Sequence, residues 1–233
     1  FAGVGKTRDE LKYALENDIY CINAESIAEL ELINEVAKDL GLTAPVAVRV
    51  NPNVDAKTHK YISTGKSENK FGIDFELVSE LYDRAAGFTN LNLRGLQMHI
   101  GSQLRSITPF IEAIERVAPL VQQLKAAHNI EFFSIGGGVG IIYDPALESG
   151  SPDWWAQQND DELTIEKYAT EIVPRLKKLG LRILLEPGRY IAGNAGVLLT
   201  ECLYEKKGSA KTFKVVDSGM NDLIRPALYE GHH

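Results

Sequence analysis

The sequence predicts an α/β protein: a partial (β/α) barrel followed by the start of an antiparallel β region. Three observations predict it. Apolar runs of strand length alternate with amphipathic helical repeats at roughly 30–50 residues per unit, which implies a parallel sheet with crossover helices. The strands carry polar residues on one face, near their C-terminal ends. After about Gly196 the alternation stops, and two strands follow at hairpin spacing.

Taken in order, Tyr20–Ala24 reads as a buried strand, Glu25-Ser26 suits a helix start and Gly41 stands where a helix C-cap belongs. Val46–Val50 is the next strand, and Asp74 suits another helix start. Leu93–Ile100 follows as a strand, and then Phe110, Ile114, Val117, Val121 and Leu124 mark one face of a helix. Phe132–Ile135 is a strand. Ile165, Tyr168, Ala169, Ile172, Leu176 and Leu179 repeat the helical face, and Gly180 precedes the strand Ile183–Glu186. Val197–Tyr204 and Thr212–Val216 are separated by Glu205–Lys211, a connection too short for a helix. The expected division is residues 1–196 as barrel and 197–233 as the beginning of a C-terminal β domain.

Polar residues choose a barrel over an open doubly wound sheet. Side chains alternate faces along a strand, so Asn23 pairs with Glu25, Arg49 with Asn51, Gln97 with His99 and Arg182 with Glu186. The opposite faces are apolar: Tyr20, Ile22 and Ala24; Val46, Val48 and Val50; Leu96, Met98 and Ile100; Ile183 and Leu185. An open parallel sheet covered on both sides would be apolar on both. Polar groups converging at C-terminal strand ends are instead what a barrel active site requires.

Composition narrows the function classes. Of 233 residues, 44% are hydrophobic and 24% charged, as in globular proteins with a sizeable core. The net charge of −7 argues against a nucleic-acid-binding face. No apolar run approaches the roughly 20 residues of a membrane span. Cys21 and Cys202 lack metal-ligand spacing, so no metal site is expected, and sparse cysteine points to a reducing cytoplasm. The chain opens on Phe1 without an initiator Met and closes without a terminating element, so a fragment is expected. His232 and His233 are set aside as native sequence or a tag remnant.

Several motifs carry chemistry. Gly136-Gly137-Gly138-Val139-Gly140 directly follows a strand, where glycines let backbone N–H groups approach an anion such as a phosphate; a tight turn is the plainer alternative. Glu186-Pro187-Gly188-Arg189 offers a carboxylate for a ring nitrogen and an arginine for a phosphate or carboxylate, or simply a Glu–Arg pair at a strand end. His99-Ile100-Gly101-Ser102 offers an inward imidazole and a hydroxyl. Arg225 and Tyr229 are four apart, so a helical segment would put them on one face, suited to an amino-acid carboxylate. Gly3-Val4-Gly5-Lys6-Thr7 reads like the end of a P-loop, with Lys214-Val215-Val216-Asp217 as a Walker B lookalike. Recurrent barrel-type polar faces weigh against that nucleotide-hydrolase alternative.

Together these motifs resemble the diaminopimelate decarboxylases of the ornithine/diaminopimelate decarboxylase superfamily. The resemblance runs through Ala2–Thr7, Arg49–Ala56, His59–Gly65 with Asn69–Ile73, and then the His99, glycine, Glu186 and Arg225 motifs. It implies a (β/α)8 TIM-type, alanine-racemase-like barrel and the cofactor pyridoxal 5′-phosphate. It further implies that His99 stacks on the pyridine ring with Ser102 nearby and that Gly136, Gly137 and Gly138 cradle the phosphate. Glu186 would pair with the ring nitrogen, Gly188 and Arg189 would sit beside phosphate and substrate, and Arg225 and Tyr229 would hold substrate. Arg49 and Asn51 would line the pocket.

The implied reaction is meso-2,6-diaminopimelate to L-lysine and CO2, by a cytoplasmic homodimer with shared active sites. Alternatives are a sister decarboxylase acting on ornithine, arginine or carboxynorspermidine, or a non-catalytic paralogue that binds a partner. The family's Schiff-base lysine lies in a Tyr-Ala-x-Lys-Ala-Asn strand that is absent here, and Lys6, Lys57, Lys66 and Lys70 stand in other contexts. This chain alone is therefore expected to be inactive.

Overall fold

The computed structural model describes residues 1–54, 71–141, 163–193 and 195–229. The chain divides into two compact units, one of Phe1–Gly140 with Asp160–Arg189 and the other of Ile141–Asn159 with Tyr190–His233.

In the first unit, α1 (Arg8–Glu16), β1 (Ile22–Ala24), α2 (Ile27–Asp39), β2 (Ala44–Asn51) and the two-residue β3 (Ile73–Asp74) come first. Then come α3 (Val78–Ala85), β4 (Leu91–Met98), α4 (Thr108–His128), β5 (Phe132–Ser134), α5 (Ile165–Lys177) and β6 (Arg182–Leu184); the short α6 (Gly188–Ala192) begins in the first unit and ends in the second. The strand order is β1-β2-β4-β5-β6 with β3 beside β2, and every pairing is parallel. Five consecutive parallel strands joined through helices are the expected part of a (β/α) barrel.

Local chemistry sets the helix boundaries. Thr7 begins α1 with a reciprocal capping box: its hydroxyl accepts from the Glu10 N–H, and the Glu10 carboxylate accepts from the Thr7 N–H. Ser26 caps α2 by accepting from the Glu29 N–H. Gly41 and Gly180 turn the chain after α2 and α5 at φ of +66° and +63°, as expected of glycine just past a helix. Asp74 precedes a short 3-10 turn leading into α3, but its side chain makes no capping bond.

The sheet has two distinct faces. Outward-facing Ile22, Val46, Val48, Leu96, Met98 and Phe133 join helix residues such as Leu30, Ile33, Phe110, Val117, Val121 and Ile172 in one core. The inward face holds a small separate cluster of Cys21, Ala47 and Phe132, with Leu184 against it. Phe132 lies across Gly95 on the adjacent strand: a Cβ there would stand 2.7 Å from the ring. Burial pushes the Cys21 thiol up to about 12. The native full-length protein is therefore expected to leave Cys21 unmodified by iodoacetamide at neutral pH until it is unfolded, as peptide mapping would show.

The second unit contains β7 (Cys202–Lys207) and β8 (Thr212–Val216), an antiparallel hairpin, and α7 (Arg225–Tyr229). Strand β7 starts later than the apolar run Val197–Tyr204 suggests. Its partner β8 has only five residues, and ladder bonds form only opposite it. Among the described residues, no helix is long and apolar enough to cross a membrane.

The P-loop alternative fails on geometry. Lys6 Nζ is buried and lies 2.7 Å from each of the Gly3 carbonyl, the Asn23 carbonyl and Glu29 Oε1, so it faces no phosphate. Lys214–Val216 lies in an antiparallel hairpin, not in a parallel strand of a nucleotide-binding sheet.

Candidate active site

Register brings the inward polar residues side by side. Arg49 of β2 lies opposite Gln97 of β4, which lies opposite Ser134 of β5. All three are buried, as are Asn23, Glu25 and Asn51. Buried polar groups at this density must be mutually satisfied or serve a function.

On the β1–β2 side, Arg49 Nη1 donates to Glu25 Oε1 at 2.8 Å, and Glu25 Oε2 accepts from the Gly72 N–H at 3.1 Å. The Arg49 guanidinium also lies 5.1 Å from the centroid of the Phe71 ring. Asn51 serves the loop after β2: its Oδ1 accepts from the Asn53 N–H and its Nδ2 donates to the Phe71 carbonyl. Asn51 thus shapes the local backbone, and Arg49 is the group held inside.

At the ends of β4, β5 and β6 the structure brings together His99, the glycine run and Glu186. Ser134 Oγ donates to Glu186 Oε1 at 2.6 Å, and Gln97 Nε2 lies 3.2 and 3.4 Å from the two Glu186 oxygens. The Gly137 N–H donates to His99 Nδ1 at 3.2 Å, which leaves the imidazole proton on Nε2. The Gly136 N–H donates to Ser134 Oγ at 3.3 Å, and the Glu186 N–H donates to the Gly136 carbonyl at 2.9 Å. Arg189 donates through Nε and Nη2 to Ser102 Oγ at 3.3 and 3.2 Å.

The glycines have a steric cause. A Cβ on Gly136 would stand 2.4 Å from the Met98 carbonyl oxygen, and one on Gly138 would stand 2.3 Å from that of Gly101. On Gly137 it would stand 2.0 Å from the Glu186 carbonyl oxygen. The loop after β5 is therefore wedged between the backbones that follow β4 and β6, where no side chain fits.

Burial, aided by the positive charge of Arg49, lowers the His99 pKa to about 4, while Glu186 and Glu25 partly oppose this. In the unfolded chain this imidazole titrates near its ordinary 6.5. As pH falls from about 6.5 toward 4, the unfolded chain takes up a proton that the folded one refuses. Stability associated with His99 is thus full above pH 6.5 and declines through that window. Denaturant titrations of the cofactor-free full-length protein at pH 7 and pH 5 are expected to show about 1–2 kcal/mol less of this acid loss in His99→Gln than in the wild type.

Of the residues expected from sequence, His99, Ser102, Gly136, Gly137, Gly138, Glu186, Gly188 and Arg189 fall in the first unit, with Arg49 and Asn51; Arg225 and Tyr229 form one helical turn in the second. Gln97, Ser134 and Glu25 join those of the first unit, although no sequence motif marks these three as site residues. Ser134 lies two residues before Gly136 on the same strand face, so the alternation that marked Gln97 and His99 also marks it. His59–Gly65, Asn69, Lys57, Lys66, Lys70, His232 and His233 lie outside the described residues.

Comparison with known proteins follows the same lines. The family model for the pyridoxal-binding domain of pyridoxal-dependent decarboxylases matches residues 1–193. The chain is 47% identical to the diaminopimelate decarboxylase of Campylobacter jejuni, covering 100% of this chain and 55% of that protein. It is 44% identical to that of Vibrio cholerae, covering 99% and 52%. Among solved structures, the Helicobacter pylori diaminopimelate decarboxylase complexed with L-lysine superposes with a TM-score of 0.87 at 41% identity, covering 99% of this chain and 55% of that one. The M. jannaschii enzyme in co-complex with L-lysine gives 0.83 at 38%, covering 99% and 52%. The chain spans about half the length of the relatives it matches.

Proposed function

Because this chain belongs to the pyridoxal-dependent decarboxylases, as their pyridoxal-binding domain, we propose that the full-length protein converts meso-2,6-diaminopimelate to L-lysine and CO2. The observation that carries this reading is the inward Glu186 carboxylate, held by Ser134 and Gln97 next to the His99–Gly137 contact. The identities above 40% to diaminopimelate decarboxylases support that substrate over ornithine, arginine or carboxynorspermidine.

The residues present fit pyridoxal 5′-phosphate. A flat imidazole, a carboxylate with several donors on it and a side-chain-free loop beside Ser102 and Arg189 match a ring face, a ring nitrogen and a phosphate. In this reading His99 would lie against the ring and Glu186 against its nitrogen, and Ser102, Gly188, Arg189 and the Gly136–Gly138 loop would hold the phosphate. Gly136 and Gly137 contribute space more than donors, since their N–H groups are engaged with Ser134 and His99.

Bound pyridoxal phosphate supplies a sink for the electron pair left on Cα when CO2 departs. Glu186 places a negative charge where it favours a proton on the ring nitrogen. His99, neutral at physiological pH, presents a ring face without adding positive charge. Arg189 offers a guanidinium for the substrate carboxylate, and Arg225 and Tyr229 keep the substrate-binding role that the family resemblance implies.

We assign residues 1–196 to the barrel and 197–233 to the beginning of a β domain, and the working enzyme to a cytoplasmic homodimer with shared active sites. Offering the purified full-length protein meso-diaminopimelate, ornithine, arginine and carboxynorspermidine in parallel tests the function. Lysine formation from the first, with little turnover of the others, is expected. Preferential turnover of another substrate, or none of any, would refute it.

A further inference from the structure

We propose that Gln97 and Ser134 are positioning residues that hold the Glu186 carboxylate in one orientation. The inference rests on Glu186 having the role proposed above. Gln97 is 1% exposed and turns its Nε2 toward both carboxylate oxygens, at 3.2 and 3.4 Å. Its own Oε1 is buried and, among the described residues, has no hydrogen-bond partner. A buried amide ordinarily turns to satisfy its oxygen. Here the reverse orientation would set that oxygen against two carboxylate oxygens, so Glu186 dictates how Gln97 points.

Ser134 is committed in the same direction. Its Oγ accepts from the Gly136 N–H at 3.3 Å, which directs the hydroxyl proton to Glu186 Oε1 at 2.6 Å. Gln97 and Ser134 are registered neighbours on β4 and β5. Both donors therefore come from the interior of the sheet, whereas Glu186 lies two residues past the end of β6. The Glu186 backbone is tied through its N–H to the Gly136 carbonyl and through its carbonyl to the Gly188 N–H. Those bonds place Cα but leave the carboxylate free to rotate. The two lateral donors remove that freedom, and a group held this way is pre-organised toward whatever it faces.

The test uses the full-length protein loaded with pyridoxal phosphate and the variants Gln97→Leu, Gln97→His, Ser134→Ala and Glu186→Gln. Gln97→Leu and Ser134→Ala are each expected to lower kcat about tenfold to a hundredfold with KM within about twofold. Each should also shift the pH dependence of the bound cofactor's absorbance in the same direction as Glu186→Gln. Gln97→His, which keeps an N–H donor, should recover much of both. If Gln97→Leu and Ser134→Ala keep the wild-type titration and kcat while Glu186→Gln does not, the inference falls alone. The same holds if they change only the melting temperature. If Gln97→Leu does not fold, Ser134→Ala and Gln97→His decide by the same criteria. A wild-type protein that takes up no pyridoxal phosphate overturns both this inference and the function it rests on.

Discussion

Replacing Glu186 by glutamine is expected to lower the kcat of the full-length protein in the proposed decarboxylation by about two to three orders of magnitude, with a much smaller change in KM. The substitution keeps the size of the side chain and removes its charge. It also confronts the donors of Ser134 and Gln97 with a group that can accept at only one of its two ends. The loss should fall on kcat because the carboxylate would support the electron sink that bound pyridoxal phosphate would supply, more than the first binding of substrate. Steady-state kinetics on meso-diaminopimelate, with near-UV circular dichroism to confirm the fold, checks this. A Glu186→Gln enzyme within threefold of wild type would remove the carboxylate from the mechanism.

Gly137→Ala is expected to destabilise the protein by about 3 kcal/mol or more. The added Cβ would stand 2.0 Å from the Glu186 carbonyl oxygen. Backbone faces backbone there, so no rotamer change relieves the clash. Relief requires the loop to move away from β6, which breaks the Gly136–Glu186 bond and presses Gly136 and Gly138 against the carbonyls of Met98 and Gly101. Gly5→Ala is the matched control: its Cβ meets nothing within 4 Å, and its effect should stay within about 0.5 kcal/mol. Urea denaturation of both variants, together with their affinity for pyridoxal phosphate, would separate them.

Alternation of side chains along strands made much of the site legible. It sorts Arg49, Gln97 and His99 from Val48, Leu96 and Met98, and only the latter three enter the core shared with the helices. Long-range pairing was not legible. Gln97 and Glu186 are 89 residues apart and Ser134 and Glu186 are 52 apart, so nothing local announces either contact. Lys6 shows how a local motif misleads: its context reads as phosphate binding, yet its partners, Asn23 and Glu29, come from β1 and α2. The sequence reads the glycine run as backbone N–H groups brought up to an anion. Its first two N–H groups nevertheless turn inward to Ser134 and His99, an outcome set by how close β4 and β6 stand on either side.

The most direct measurement is reduction of the full-length, cofactor-loaded protein with borohydride, followed by mass mapping of every lysine peptide. One pyridoxyl-lysine is expected, and not at Lys6, whose ammonium is buried against two carbonyls and the Glu29 carboxylate. Absence of any pyridoxyl-lysine, or its presence on Lys6, would contradict a pyridoxal phosphate pocket built around His99, the glycine loop and Glu186.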